Sequence, residues 1–374
     1  MSERHGPLGL SEEQADLLQA ASKYCEDKSS VEAVRNLLED ETGHDPATFS
    51  EMAELGWLGI AIPESYGGAG LGIAEVVPVV EQMGRRLMAG PFIPTTLAAQ
   101  LLLVAGTEEQ KAAVLPQLAG GAPATLMLAE PDSDLDAPTP QASATRKEGL
   151  LSLTGTKCLV VDAHIAQWAI VSVNLDGSPA LILLDRQALE ACSSRREIVV
   201  DETRRAFRLE LQGVSVPETA LLDPALTPAG LTRVALAGAL FSAAEMCGGG
   251  QSCIDYTVSY LNSRKQFGRP IGSYQALKHT TVNAHVQLEQ ARSHLYAAAH
   301  TFETGEEGEV AVRMAKAAAG PALAFAADRS IQFHGGYGFT YACDAQLYRR
   351  RAIWGEAQFG DAVYQRRKLA SLIL

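Results

Sequence analysis

The chain has 374 residues, enough for two or three domains, and a formal net charge of -13 with charges of both signs spread along the sequence. This charge argues against a nucleic-acid surface, and no apolar run approaches the roughly 18–20 residues that cross a bilayer. We therefore expect a soluble protein with neither a nucleic-acid nor a membrane partner.

The polar start of the chain, residues 1–7, has no apolar segment like that of a signal peptide, which predicts a cytoplasmic location. The six cysteines are scattered without the Cys-x-x-Cys spacing of zinc sites or redox motifs. We therefore expect buried free thiols, with neither a metal site nor a disulfide framework.

Residues 1–121 show helical patterning and form a predicted N-terminal helical domain. Ser11 and Gln14 have the spacing of a capping box at the start of the first helix. Thr107 has the position of an N-cap for a later helix, because three acidic or amide side chains follow it.

Composition changes at Ala122, where short runs rich in Val, Ile and Leu begin, bounded by Gly, Pro, Asp and Ser. Between two of these runs, Asp176 and Gly177 predict a hairpin turn. Residues 122–226 are therefore predicted to form a middle β-domain, a small barrel or sandwich.

Residues 227–374 return to helical patterning and are predicted to form a four-helix bundle. The predicted helices cover residues 231–263, 275–304, 309–333 and 347–373. The predicted fold class is therefore α+β, with an N-terminal helical domain, a middle β-domain and a C-terminal bundle.

The stretch 260–279, YLNSRKQFGRPIGSYQALKH, interrupts the bundle pattern with a predicted helix-turn-helix corner. Pro270 has no N–H and its ring clashes with a preceding turn, which predicts that the first helix stops near Phe267. Ser273 is the predicted N-cap of the next helix, whose N-terminus favours an anion.

Side chains around this corner suit a phosphate. Arg264 and Gln266 place donors at the end of the first helix, and Phe267 adds a flat apolar face. The alternative is a solvated helix end with an ordinary capped turn.

A second corner, QFHGGYGF at residues 332–339, places Gly335, Gly336 and Gly338 close together after an Ala-rich helix. Glycines there permit positive φ, and successive N–H groups can form an anion-binding nest. A glycine-rich helix terminator has much the same pattern, so this alternative stays open.

Together with LGWLGIAIPESYGGAGLG and LPQLAGG, these two motifs and the order of the three predicted domains resemble the acyl-CoA dehydrogenase family of flavoproteins. The resemblance covers nearly the whole chain. It implies an acyl-CoA substrate, FAD held between the β-domain and the bundle, and a cofactor that crosses a subunit interface, hence at least a dimer.

By motif match, the resemblance implies contacts of this chain with FAD. The residues for the adenosine diphosphate part are Arg264, Gln266, Phe267 and Gln275, and those for the diphosphate of the same or a partner's FAD are Gln332, Gly335 and Gly336. It also implies an electron-transfer flavoprotein as the electron acceptor.

In this family a glutamate removes the α-proton of the thioester while the flavin takes the β-hydride. Ungapped counting places Phe359 at one of the two family positions for that base, or Gln358 or Gly360 with a slip of one residue, and Gly238 at the other. The nearest carboxylates are Asp361, Glu356 and Glu245, and each has an alternative role as a cap or a surface charge. Asp361 is the candidate catalytic base.

The middle domain departs from the family pattern as well. Ala129 replaces a threonine, and Leu159, Val160 and Val161 replace the Trp-Ile-Thr that lies under the flavin. Hydroxyl and indole contacts to the flavin ring would therefore be lost.

Three hypotheses follow. The chain is an active dehydrogenase with Asp361 or another carboxylate as base, or it is a non-catalytic subunit that completes the FAD site of a paralogous partner. Hetero-oligomeric relatives of the second kind act on steroid side-chain and other bulky acyl groups, which indicates lipid degradation. The third hypothesis is a flavin-free scaffold.

Overall fold

The computed structural model describes residues 10–133 and 139–374, so the polar start of the chain lies outside the described residues. The helices are α1 (Glu12–Lys28), α2 (Val31–Glu39), α3 (Pro46–Glu54), α4 (Ile73–Arg85), α5 (Phe92–Ala105), α6 (Glu108–Ala119), α7 (Arg186–Ala191), α8 (Thr227–Ser263), α9 (Gln275–Thr301), α10 (Glu306–Phe333), α11 (Ala345–Ala357) and α12 (Ala362–Ile373).

The strands are β1 (Ala124–Met127), β2 (Ser143–Lys147), β3 (Leu150–Thr154), β4 (Thr156–Val161), β5 (Trp168–Leu175), β6 (Ser178–Asp185), β7 (Ser193–Glu197), β8 (Ala206–Glu210), β9 (Ser215–Pro217), β10 (Lys265–Gln266) and β11 (Arg269–Pro270). Helices, then strands, then helices follow one another along the chain, which confirms the predicted fold class.

The chain divides into two compact units that use discontinuous segments. The bundle unit comprises Met1–Leu38, Ile73–Met88 and Gly238–Leu374, and the sheet unit comprises Glu39–Gly72 and Ala89–Ala237. The predicted division into three domains, residues 1–121, 122–226 and 227–374, stays a prediction.

Local capping signals in the sequence correspond to helix starts in the structure. Ser11 and Gln14 form a reciprocal capping box at α1, and Thr107 with Gln110 forms another at α6. Helix α5 was not predicted, because nearly all of its residues are apolar and buried and it has no alternating polar face.

The sheet unit contains a six-stranded sheet in the order β1-β5-β2-β3-β9, with β6 on β5, and a three-stranded sheet β4-β8-β7. One hydrophobic core contains residues of both sheets, as expected of a sandwich or barrel. The predicted hairpin is β5–β6, where Asp176 and Gly177 both have positive φ between paired Leu175 and Ser178.

In the bundle unit, α4 and α8 approach each other through glycines. A Cβ at Gly248 would overlap the carbonyl oxygen of Glu81, and one at Gly84 would overlap the backbone of Glu245. Glu81 is buried and accepts from Arg292 Nε at 2.7 Å and Tyr296 Oη at 2.5 Å. Gly248 therefore serves close helix packing.

Two helical segments, Pro224–Ser263 and Glu306–Phe333, have the length and hydropathy of membrane-spanning helices, so the prediction that no such segment exists was wrong. About half of each apolar window is buried inside the protein. All six cysteines are free thiols, and all but the half-buried Cys158 are buried.

Candidate functional site

The first corner is a β-hairpin rather than a helix-turn-helix. Helix α8 ends at Ser263, and β10 then pairs with β11 in antiparallel register around Phe267 and Gly268. Both turn residues have positive φ, 52° and 81°, as a two-residue hairpin turn requires. The predicted helix end near Phe267 was wrong because Gly268 and the fixed φ of Pro270 favour this turn.

Ser273 is not a helix cap, so that prediction was also wrong. The N-cap of α9 is Tyr274, which makes no side-chain capping bond, and Ser273 closes a short 3₁₀ turn instead. Within the part of the chain that the structure describes, the buried Oγ of Ser273 has no hydrogen-bond partner.

Arg264, Gln266, Phe267 and Gln275 all lie exposed at this hairpin corner. The Phe267 side chain is 91% exposed and meets the ring of Tyr274 edge-on, with ring centroids 6.4 Å apart. A phenylalanine with positive φ costs about 1 kcal/mol or more, and such strain concentrates at ligand sites. The corner therefore presents donors and an apolar face to solvent.

The second corner follows α10, which ends at Phe333. Gly335 has φ 63°, whereas Gly336 and Gly338 lack positive φ, so the predicted backbone geometry holds at one position. Around Gly335 and Gly336 a Cβ would meet no atom within 4 Å, but at Gly338 it would overlap the carbonyl of Ile331. Gly338 serves backbone packing, and the backbone of the other two is open.

Sequence reasoning missed His334, which joins the two corners. Its buried ring stacks on Tyr260 and Tyr256 of α8, with centroids 4.1 and 4.6 Å away, and its Nδ1 lies 2.7 Å from Ser330 O. The signal was available, because Tyr256 and Tyr260 share one helix face and His334 precedes the glycines. Thus the structure brings the two motifs together.

The candidate base region also interrupts a predicted helix. The single helix over 347–373 was wrong, because α11 and α12 are separated by residues 358–361. Phe359 and Gly360 have φ 53° and 89°, which no α-helix accommodates. A Cβ at Gly238 would overlap the Phe359 ring, so the two family positions for the base are in contact.

Buried polar groups hold the loop that carries Phe359. Lys316 Nζ donates to Gly355 O at 2.5 Å and to Glu356 O at 3.3 Å, and burial lowers the pKa of this lysine to about 8. Gln365 Nε2 donates to Phe359 O at 2.6 Å. These bonds satisfy backbone carbonyls in the last turn of α11 and in the loop after it, and they hold the Phe359 side chain in place.

The three nearby carboxylates each contact a structural group. Asp361 is exposed and caps α12, accepting from Tyr364 N at 2.7 Å. Glu356 Oε1 accepts from Ala362 N at 2.9 Å, and Glu245 forms a buried ion pair with Arg351 at 3.1 Å. Asp361 as a base stays a prediction.

In the sheet unit, the segment predicted to lie under the flavin carries aliphatic side chains only. Leu159 has φ 51° at a register shift between β4 and β8, and its N–H donates to Glu197 at 2.7 Å. The nearby hydroxyl of Thr125 donates a hydrogen bond to Val161 O at 2.6 Å.

A buried ion pair lies near the start of β4. Lys157 Nζ contacts Glu130 Oε1 at 2.6 Å, and Glu130 also accepts from Gln141 N and Ala142 N. Burial by itself raises the pKa of Glu130, but Lys157 and the backbone donors outweigh it and lower that pKa. Glu130 is therefore a structural carboxylate.

The two units fit FAD unequally. The bundle corners offer a guanidinium, amides, open backbone at Gly335 and Gly336 and an exposed ring at Phe267, which suit a diphosphate and an adenine. By contrast, Leu159–Val161 offers no side-chain donor for a flavin ring. The described residues would therefore suit the nucleotide end of FAD better than its flavin ring.

Comparison with known proteins gives two family matches, to "Acyl-CoA dehydrogenase, N-terminal domain" over residues 11–122 and to "Acyl-CoA dehydrogenase, C-terminal domain" over residues 234–373. The chain is 30% identical to acyl-CoA dehydrogenase IpdE2 of Mycolicibacterium smegmatis, over 96% of this chain and 98% of that protein.

Two further similarities agree with these matches. Acyl-CoA dehydrogenase IpdE2 of Mycobacterium tuberculosis is 32% identical, over 87% of this chain and 86% of that protein. The solved Tcur3481-Tcur3483 steroid ACAD superimposes with a TM-score of 0.85 at 28% identity, over 97% of this chain and 98% of that one.

Proposed function

This chain belongs to the acyl-CoA dehydrogenase family of FAD-dependent oxidoreductases, and we propose that it is one subunit of a hetero-oligomeric acyl-CoA dehydrogenase. In this proposal, its corners bind the nucleotide end of FAD in a cytoplasmic dimer or tetramer. A paralogous subunit supplies the carboxylate that removes the α-proton of the acyl-CoA thioester.

The observation that carries the proposal is the contact between Phe359 and Gly238. A base for a weakly acidic α-proton must lie within hydrogen-bond reach of that proton. The structure fills the space between the two family positions with a phenyl ring, and neither residue can accept a proton. The remaining carboxylates hold helix ends or an ion pair.

This chain's residues have a binding role in the proposed reaction. Bound FAD supplies the hydride acceptor. Arg264 and Gln266 donate to phosphate oxygens, the backbone of Gly335 and Gly336 completes the anion site, and Phe267 covers the adenine. The exposure of all these groups supports a cofactor that a second subunit also covers.

Names of similar proteins support the substrate class and the partner. One similar structure is named for two proteins, Tcur3481 and Tcur3483, and for a steroid. We propose a lipid or steroid side-chain acyl-CoA as substrate and an electron-transfer flavoprotein as the acceptor.

The test is the visible absorption spectrum of three preparations: this chain alone, the paralogous partner alone, and the two co-expressed. Each is challenged with an acyl-CoA. We expect bound flavin that bleaches on substrate addition in the co-expressed preparation, and no bleaching of this chain alone.

Two results would overturn the proposal. Yellow colour that bleaches with this chain alone would show a working base in a homo-oligomer, and Asp361 would be its first candidate. Colourless protein in every preparation would indicate a scaffold without flavin.

A further inference from the structure

An arginine of α2 reaches the loop that follows the Gly335 corner. Arg35 Nη1 donates to Tyr341 O at 3.0 Å, and its Nη2 donates to Ala342 O at 3.2 Å and to Asp344 Oδ1 at 2.8 Å. Its Nε lies 3.3 Å from the same carboxylate oxygen. One planar guanidinium thus binds two carbonyls and a carboxylate.

The carboxylate of Asp344 is used for this contact instead of for capping. Asp344 occupies the N-cap of α11, where aspartate ordinarily accepts from the first helical N–H groups, but it makes no side-chain cap bond. Its Oδ1 faces Arg35 instead, and both side chains are 26% exposed. A partly buried, multidentate pair constrains the loop more than a surface pair does.

The same loop is bonded directly to the glycine corner. Tyr337 Oη donates to Ala342 O at 2.9 Å, so this carbonyl accepts from both Tyr337 and Arg35. Thr340 donates to Tyr337 O through its N–H at 2.9 Å and its hydroxyl at 2.7 Å. Tyr337 directly follows Gly336, so the contact with Arg35 reaches the open backbone through two residues.

Helix α2 is a short helix whose side chains are mostly half-buried or exposed. Val34 is the one residue of α2 that is fully buried. The bonds of Arg35 therefore add a polar link between this short helix and the 341–344 loop.

We propose that Arg35 is a positioning residue for the diphosphate site: it holds the 341–344 loop, and through Tyr337 it holds the N–H groups of Gly335 and Gly336. This inference rests on the proposed function, because it takes this corner as the site of the FAD diphosphate.

The test compares ADP, which carries the diphosphate, with adenosine, which lacks it. Titration calorimetry of the co-expressed complex, after its bound flavin has been removed, is performed with Arg35→Ala, Arg35→Lys and wild type. We expect Arg35→Ala to weaken ADP binding about tenfold and to leave adenosine binding within about twofold. Arg35→Lys should lie between, because an ammonium keeps Asp344 but cannot reach both carbonyls.

Arg85→Ala is the matched control, because Arg85 joins helices of the same unit through Asp255 at 2.9 Å and not through the 341–344 loop. It should leave ADP binding unchanged. Circular dichroism of each variant verifies folding, and Arg35→Lys preserves the test if Arg35→Ala unfolds.

Two outcomes contradict the inference and are distinguishable. If wild type binds ADP and Arg35→Ala binds it equally well, or loses adenosine to the same extent, Arg35 does not position a diphosphate site. If wild-type complex binds neither ADP nor FAD, the proposed function fails as well, because the corner is then not a cofactor site.

Discussion

The glycine corner at Gly335 and the loop of residues 358–361, called the Phe359 corner, both interrupt helices of the bundle unit. The backbone is open at the first and covered by a side chain at the second. Each interrupts the helical pattern of the bundle unit at a residue with positive φ, 63° at Gly335 and 53° at Phe359. At the first, a Cβ would meet nothing, and the backbone is open to a ligand. At the second, an aromatic ring fills the gap and packs against Gly238.

Under the proposed function, the difference separates cofactor binding from proton removal within one subunit. Binding a diphosphate needs open backbone and donors, which the first corner has. Removing an α-proton needs a carboxylate at one position, and a single aromatic residue there eliminates that function while the fold persists. In the proposed function, this chain therefore depends on a partner subunit for proton removal.

Glu245→Ala should produce the largest effect and tests whether a carboxylate near the Phe359 corner is structural. The variant removes the carboxylate paired with the fully buried guanidinium of Arg351, and breaking such a buried ion pair costs about 3–5 kcal/mol of the free energy of unfolding. Urea denaturation followed by circular dichroism measures it.

The control is the double variant Glu245→Met with Arg351→Met, which should recover most of that loss because an apolar pair leaves no buried charge. A Glu245→Ala protein as stable as wild type whose complex has lost turnover would instead make Glu245 catalytic.

Gly238→Ala tests the closed state of the Phe359 corner. The added methyl group overlaps the ring of Phe359, and overpacking of this kind costs about 1–3 kcal/mol. Thermal or urea unfolding gives the loss, and turnover of the complex should persist because no base resides here.

Gly249→Ala on the same helix is the matched control. Its Cβ would lie 3.5 Å from Leu323, an ordinary contact, and alanine in a helix gains about 0.5–1 kcal/mol over glycine. A Gly238→Ala protein that is not destabilised, like the Gly249→Ala control, would mean that Phe359 yields and does not close the position.

Sequence reasoning succeeded where the signal is local. The capping boxes at Ser11 and Thr107 and the hairpin at Asp176 depend on residues within one turn, and each was predicted correctly. The position of Phe359 was obtained by counting along the chain. Its contact with Gly238 was not predictable, because residues that meet only in the fold leave no periodic signal.

The failures share one physical cause. Helical patterning predicted a helix end near Phe267 at the first corner and one helix through Ala357, whereas hairpin pairing and buried partners decide where these helices end. Arg35 escaped notice for the same reason, since a surface-type arginine on a short helix has nothing in its neighbourhood that indicates the distant Asp344.

Gly335→Ala tests the open state of the other corner. The new Cβ meets no atom, so the change costs about 1 kcal/mol through the positive φ alone. Because the backbone relaxes away from this φ, we expect FAD to bind the complex about tenfold more weakly, measured by flavin fluorescence.

Gly305→Ala is the control for strain. Gly305 has φ 70° and equally open surroundings, but it lies between α9 and α10, away from the corner. It should lose similar stability and keep FAD affinity. Equal losses of affinity in both variants would contradict an anion site at Gly335.

Substitution of Asp361 should have the smallest effect, and it distinguishes a helix cap from a catalytic base. As the N-cap of α12, Asp361 accepts from Tyr364 N at 2.7 Å, and asparagine caps as well as aspartate does. Asp361→Asn should therefore change neither stability nor turnover of the complex, whereas Asp361→Ala should lose about 1 kcal/mol of stability and no turnover.

A base at this position predicts the opposite, because Asn cannot accept the proton and both variants would lose turnover at unchanged FAD content. Flavin bleaching by acyl-CoA, recorded beside urea denaturation for the two variants, therefore decides whether the Phe359 corner has any chemistry of its own.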